Sequence, residues 1–192
     1  MNALRNKTVK SLINLTLERV LGYKFVKSSG ARENRRGFIT RMIEEHSDLI
    51  QGDVLNVGAG SWTWPKDRFG KRCNMQNLDQ FAGPNTDIIG DAMRLTESVP
   101  KEHYDAVICI ETLEHVPDPF KAANEIGKVL KKGGVLLASS PFMHELHGEN
   151  YGDYWRITRQ GWKELFKGFS SIEIFWLGRE KEPLHYFVIA KK

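Results

Sequence analysis

The sequence predicts an α/β protein, a doubly wound sheet with helices packed on both faces. Three observations carry that expectation. Apolar strand-like runs alternate with amphipathic helical runs along most of the chain. The run Asp53-Val54-Leu55-Asn56-Val57 passes directly into a glycine turn, Gly58-Ala59-Gly60. Two aspartates, Asp79 and Asp91, then follow the next two strand-like runs, where such sheets place ligand-binding carboxylates.

The elements follow in order. Val9, Leu12, Ile13, Leu17, Val20 and Leu21 recur at helical spacing, ending near Gly22. Ser28-Ser29-Gly30 breaks the pattern, and a second helix is expected from about Arg32 to Ile50. These two helices would form an N-terminal helical cap over residues 1–50, part of the same domain as the sheet. Val54, Leu55 and Val57 make the first core strand. Ser61-Trp62-Thr63-Trp64-Pro65 leads into an irregular segment ending at Phe69-Gly70. A second strand ends at Leu78-Asp79, and Ile88-Ile89 marks a third. Residues 104–110 form the clearest core strand. Asp118 then caps a helix with Pro119 at its first position, and Lys131-Lys132-Gly133-Gly134 ends it. Val135–Ser139 is a further strand, Pro141 opens a polar, aromatic-rich loop, and Thr158 caps a helix through Phe166. Residues 172–177 and 185–190 close the chain as an antiparallel pair.

With 192 residues the chain is long enough for one domain with a substantial core. Hydrophobic residues make up 41% and charged residues 27%, an ordinary soluble balance. No apolar run approaches the ~20 residues of a transmembrane helix, and no signal peptide is recognisable. Cys73 and Cys109, the two cysteines, both fall in apparent strands and are expected as reduced thiols. A cytoplasmic protein is expected. The net charge of +4 is uneven: residues 1–50 carry +5 and the remainder −1. An anionic substrate or membrane surface could use the basic N-terminal quarter, and so could plain solvent. Nucleic acid is not expected as a partner, because no extended basic and aromatic surface lies beyond that quarter.

The glycine turn brings backbone N–H groups within reach of a ligand, since neither Gly58 nor Gly60 carries a Cβ. Asp79 lies about twenty residues on, where a carboxylate meets ribose hydroxyls. Asp91, after the third strand, is placed to meet an adenine amino group. An adenosine-containing ligand is the expectation.

The order Val57-Gly58-Ala59-Gly60, Asp79, Gly90-Asp91-Ala92, Tyr104-Asp105-Ala106-Val107, Leu113-Glu114-His115-Val116, Leu130-Lys131-Lys132-Gly133-Gly134 resembles the class I S-adenosylmethionine-dependent methyltransferases, the type 11 group in particular. The resemblance spans about residues 50–140. It implies a Rossmann-like methyltransferase fold with a seven-stranded sheet, its last strand antiparallel to the rest, and a cofactor-binding domain over 51–192. It implies that Asn56, Gly58, Ala59 and Gly60 surround the methionine part of S-adenosyl-L-methionine. Asp79 and Gln80 would hold the ribose, Asp91, Ala92 and Met93 the adenine, and Ile110 and Glu111 the far side. Asn56 stands where the family usually has an acidic residue, and Trp62 near where it usually has a small one. Pro141-Phe142-Met143-His144-Glu145-Leu146-His147-Gly148 followed by Asp153-Tyr154-Trp155-Arg156-Ile157-Thr158 also looks like a pattern of this group, associated with small-molecule and cell-surface sugar pathways.

That loop leaves the carboxyl end of a central strand, so it should overlook the transferred methyl group. His144, Tyr154, Trp155 and Arg156 are its candidate substrate contacts, with an Asp153–Arg156 ion pair as the plainer role for Arg156. A base near neutrality would help a hydroxyl or ammonium acceptor. His147 is the first candidate and His115 the second. No metal is expected, because His144, Glu145 and His147 lack further ligands in the sequence. The leading reading is methyl transfer to the oxygen or nitrogen of a small molecule, a sugar or secondary metabolite among the options. A non-catalytic methyltransferase-like binding domain is the alternative. A nicotinamide enzyme stands third, since Thr63 occupies the third glycine of its fingerprint.

Overall fold

A computed structural model of the chain describes residues 23–25 and 34–192. The first expected helix, over 9–21, lies outside the described residues. Among the described residues eight strands form one sheet: β1 (Tyr23–Phe25), β2 (Asp53–Val57), β3 (Asn74–Asp79), β4 (Ile88–Ile89), β5 (Tyr104–Ile110), β6 (Leu130–Pro141), β7 (Ser171–Arg179) and β8 (Glu182–Lys191). Their order is β1-β7-β8-β6-β5-β2-β3-β4. β8 runs antiparallel to both neighbours, and every other pairing is parallel. The seven expected strands are thus present with the last one reversed. β1, which sequence reading did not assign, extends the edge beside β7.

The parallel strands are apolar on both sides because helices cover both faces. On one face α4 (Pro119–Val129) and α5 (Arg159–Leu165) bury Ala122, Ile126 and Trp162 against Leu55, Val107 and Leu136. On the other, α1 (Arg35–Glu45) buries Phe38, Ile39, Met42 and Ile43 against Ile108, Leu137 and Phe187. α1 is therefore a layer of the sandwich. It is shorter than expected: Asn34 Oδ1 accepts from the Gly37 N–H at its start, and after His46 the chain tightens into a 3-10 turn, Ser47–Leu49.

Three other boundaries differ from expectation. The segment after the glycine turn contains a short helix, α2 (Trp64–Phe69), with Pro65 in its first turn, and a second short helix, α3 (Leu95–Ser98), precedes β5. Cys73 follows that helix as a half-buried free thiol outside β3, whereas Cys109 is free and buried in β5. Finally α4 ends at Val129, and 131–134 belong to an irregular stretch of β6. There Tyr104 pairs with Leu130 and Ala106 with Val135, and Gly133 takes φ 78°. Lys131 reaches Asp105 at 2.8 Å, so basic residues that look like a helix end join two strands instead.

Candidate active site

β2 and β5 are adjacent although β3 and β4 intervene in sequence, and the chain winds outward in opposite directions from this pair. That reversal opens a crevice at the carboxyl ends of the strands. A cavity of about 500 Å³ fills it, a volume that suits a small organic ligand. Its floor is the glycine turn. Gly58 takes φ 70°, and a Cβ there would stand 2.2 Å from Thr112 Oγ1. Gly60 takes φ 51° with open space where its Cβ would be. One glycine therefore admits the neighbouring strand end, and the other admits a ligand. The N–H groups of Gly58 and Ala59 donate to Leu78 O, which binds the turn to β3.

Asp79 closes the side. Its Oδ2 accepts from the Gly60 N–H at 2.9 Å and its Oδ1 from the Phe81 N–H at 3.0 Å. Asp91 caps the 3-10 turn Ala92–Arg94 through the Met93 N–H and pairs with Arg94. Gly58, Gly60, Asp79, Gln80, Asp91, Ala92, Met93 and Glu111 all line the cavity.

Three expected cofactor residues do not line it. Asn56 is buried, and its Nδ2 donates to Asn77 Oδ1 at 3.0 Å across β2 and β3. It is a sheet-internal amide. Ala59 and Ile110 are also buried, Ile110 in the cluster under α1. Sequence reading missed Phe81, Thr112, Val116, Pro117 and Tyr151, which do line the cavity. Thr112 was open to inference from its place after β5; Tyr151 comes from a distant loop and had no signal.

Glu111 takes φ 50°, a strained value for a residue with a side chain. It faces Arg35 of α1 at 3.1 Å and the fully buried His185 at 4.0 Å. Burial pushes the His185 pKa down to about 3, so that imidazole stays neutral.

The opposite side, formed by the loop after β6, is built differently. Residues 142–158 form a loop held by a few polar side chains. Arg156 clasps the Asp153 carboxylate with two nitrogens, which holds that carboxyl well below the usual carboxylate range. Asp153 Oδ2 also accepts from the His147 N–H. The Tyr154 and Trp155 N–H groups donate to Glu114 O, and Trp155 Nε1 donates to Val116 O. The loop thereby closes onto the 3-10 turn Leu113–His115 that follows β5.

His115 lines the cavity, and its ring stands edge-on to His147 at 4.9 Å and Tyr151 at 4.7 Å. Burial lowers its pKa below the ordinary imidazole value, against the raising effect of Gly152 O at its Nδ1. His147 stands one ring behind it, and His144 packs on His147 at 5.2 Å. Tyr154 and Trp155 remain exposed, and Arg156 is committed to Asp153. A larger groove of about 660 Å³ between α4 and α5 is lined by residues such as Lys101, Phe120, Lys128 and Phe169 and holds none of this chemistry.

The family described as "Methyltransferase domain" matches residues 70–138. Over that stretch the chain is similar to this family, and its sheet has the fold of the class I S-adenosylmethionine-dependent methyltransferases. Its relatives include proteins named ubiquinone biosynthesis O-methyltransferase. The one from Aliivibrio fischeri (strain MJ11) is 28% identical over 112 residues, 52% of this chain and 48% of that protein. The one from Erwinia tasmaniensis is 29% identical over 112 residues, 51% and 46% of the two chains. The chain thus spans about half the length of the curated relatives it matches. Among solved structures, a SAM-dependent methyltransferase from Archaeoglobus fulgidus has a TM-score of 0.64 at 16% identity, covering 93% of this chain and 98% of that one. The 1,6-didemethyltoxoflavin-N1-methyltransferase of Burkholderia thailandensis, solved with 1,6-didemethyltoxoflavin and S-adenosylhomocysteine, has 0.63 at 18%, covering 80% and 76%. At these identities the structures establish the methyltransferase fold.

Proposed function

We propose that the protein transfers a methyl group from S-adenosyl-L-methionine to a hydroxyl of a small molecule. One observation carries the reading: Asp79 and Asp91 line one cavity with the glycine turn, at the reversal of strand order. Asp79 is the acceptor for ribose hydroxyls, and Asp91, Ala92 and Met93 form the adenine end. When bound, the cofactor supplies a methyl group on a sulfonium, already activated for transfer. A hydroxyl that accepted this methyl group would have to give up its proton.

The protein's share is alignment and the handling of that proton. The glycine turn and Thr112 hold the methionine side, while His115 and Tyr151 face it from the acceptor side. His115, with His147 behind it, is where the proton is handled. This refines the expectation for His147, since His115 is the ring at the cavity wall. Oxygen as the accepting atom is supported by the activity in the names of the curated relatives. A sugar or secondary-metabolite acceptor is supported only by the Asp153-Tyr154-Trp155-Arg156-Ile157-Thr158 resemblance.

Calorimetry with S-adenosylmethionine, S-adenosylhomocysteine and NAD tests the reading. Micromolar binding of both adenosyl ligands, lost in Asp79→Ala, is expected. Binding of NAD alone, or of none of them, would sink it.

A further inference from the structure

His144, Glu145 and His147, adjacent in sequence, do not assemble as a ligand trio among the described residues, but another trio does. Glu114, His115 and His147 offer ligand atoms that all lie within 4.8 Å of one another. Glu114 is 0% exposed, and neither carboxylate oxygen has a hydrogen-bond partner. A carboxyl stripped of water and of donors is costly to keep. Burial accordingly raises its pKa from 4.5 to about 8, with Glu111 adding to the rise and Arg156 and Arg35 opposing it.

The two rings supply the complement. His115 Nδ1 meets Gly152 O, and His147 Nδ1 faces Glu145 O at 3.3 Å and Asp153 Oδ2 at 3.5 Å. An Nδ1–H spent on an oxygen leaves Nε2 as a bare lone pair, the tautomer that metal-ligating histidines adopt through such outer partners. His115 Nε2 already stands 3.8 Å from Glu114 Oε1. Metal bonds of about 2.0–2.2 Å place neighbouring ligand atoms about 3.4 Å apart. Rotation of the His147 ring, on a loop with exposed neighbours, closes the remaining gap.

We propose that Glu114, His115 and His147 form a binding site for a divalent transition-metal cation of the zinc type. Two imidazoles and one carboxylate suit such a cation better than calcium or magnesium, which take oxygen ligands. The cation joins the acceptor loop to the turn after β5 and relieves the uncompensated carboxyl. Three protein ligands leave a position open, and His115 brings the site to the cavity wall. A hydroxyl acceptor reaching that position would be made more acidic, and with the cation bound this acidification takes the place of His115 as the base. This use rests on the methyltransferase reading, whereas cation binding does not.

The test is titration of chelator-treated full-length protein with zinc chloride by calorimetry, and with cobalt(II) chloride by visible absorption. One zinc per chain at micromolar or tighter affinity is expected, with cobalt bands of a four- or five-coordinate site and release of protons. His147→Ala and Glu114→Gln should each weaken zinc binding at least about tenfold. Wild-type binding no tighter than that of His147→Ala would overturn the site, even if Glu114→Gln fails to fold. S-Adenosylhomocysteine titrated into the same samples separates the two readings. Binding of it without a zinc response removes the cation site alone. A zinc response without it keeps the site and removes the methyltransferase reading.

Discussion

The two walls of the cavity are made by different means. The proposed cofactor wall consists of strand ends: Gly58 and Ala59 are bonded to Leu78 O, and Asp79 is held by two backbone N–H groups. Its geometry is inherited from sheet register. The proposed acceptor wall is a loop held by the Asp153–Arg156 pair, by two backbone N–H groups on Glu114 O and by Trp155 Nε1 on Val116 O. The difference teaches that the first wall is rigid wherever the fold is intact, whereas the second depends on a handful of polar contacts. One fold can therefore keep its cofactor and change its acceptor.

Four substitutions would break or sharpen this contrast. Asp79→Ala should reduce S-adenosylhomocysteine affinity at least ~100-fold, because two charge-assisted hydrogen bonds of about 1.5–3 kcal/mol each are lost. Calorimetry reads the loss directly, and an unchanged affinity would deny the cofactor wall its central residue. Gly58→Ala forces a Cβ onto Thr112 at a positive φ and should destabilise by about 2–4 kcal/mol. Thermal unfolding would show a larger fall in midpoint than a change on the loop over 142–158 produces.

Glu114→Gln should act through pH in cation-free protein. The folded carboxyl titrates near 8 rather than near 4.5, so the native state binds the extra proton between those values. Wild-type stability therefore falls as pH rises through this window, and the glutamine variant is spared. Its advantage should be absent below pH ~4.5 and reach about 1–3 kcal/mol above pH ~8. That is a discounted share of the ~1.4 kcal/mol that each pH unit between the two values represents. Urea unfolding at pH 5 and pH 9 measures it; equal differences at both would refute the buried charge. Arg156→Ala should cost least, about 1 kcal/mol. Hydrogen exchange should quicken over residues 145–156 while S-adenosylhomocysteine affinity changes less than about twofold. A large loss of cofactor affinity would mean that the two walls are not independent.

The residues of the proposed cofactor wall were largely legible in the sequence because β2 and β5 announce themselves through apolar runs, while polar β3, which carries Asp79, is placed by its position between them. Asn56 was misplaced for the same reason. It sits next to the glycine turn, but strand alternation turns it inward to meet Asn77. The acceptor wall was legible only as a set of residue types. Tyr151 comes to the cavity, and Trp155 to Val116, across sequence separations that no local pattern encodes.

By itself the sequence determined the alternation of strands and helices, an antiparallel closing pair, the glycine turn and the two aspartates. These follow from short-range rules: apolar periodicity, caps and backbone freedom at glycine. Only the tertiary structure decided that α1 is a layer of the core, that Lys131 bridges two strands, and that His115 stands in front of His147. It alone left the Glu114 carboxyl buried beside them without a hydrogen-bond partner. Each of these depends on which surfaces meet once the sheet is wound, and burial is a property of the packed molecule rather than of any segment.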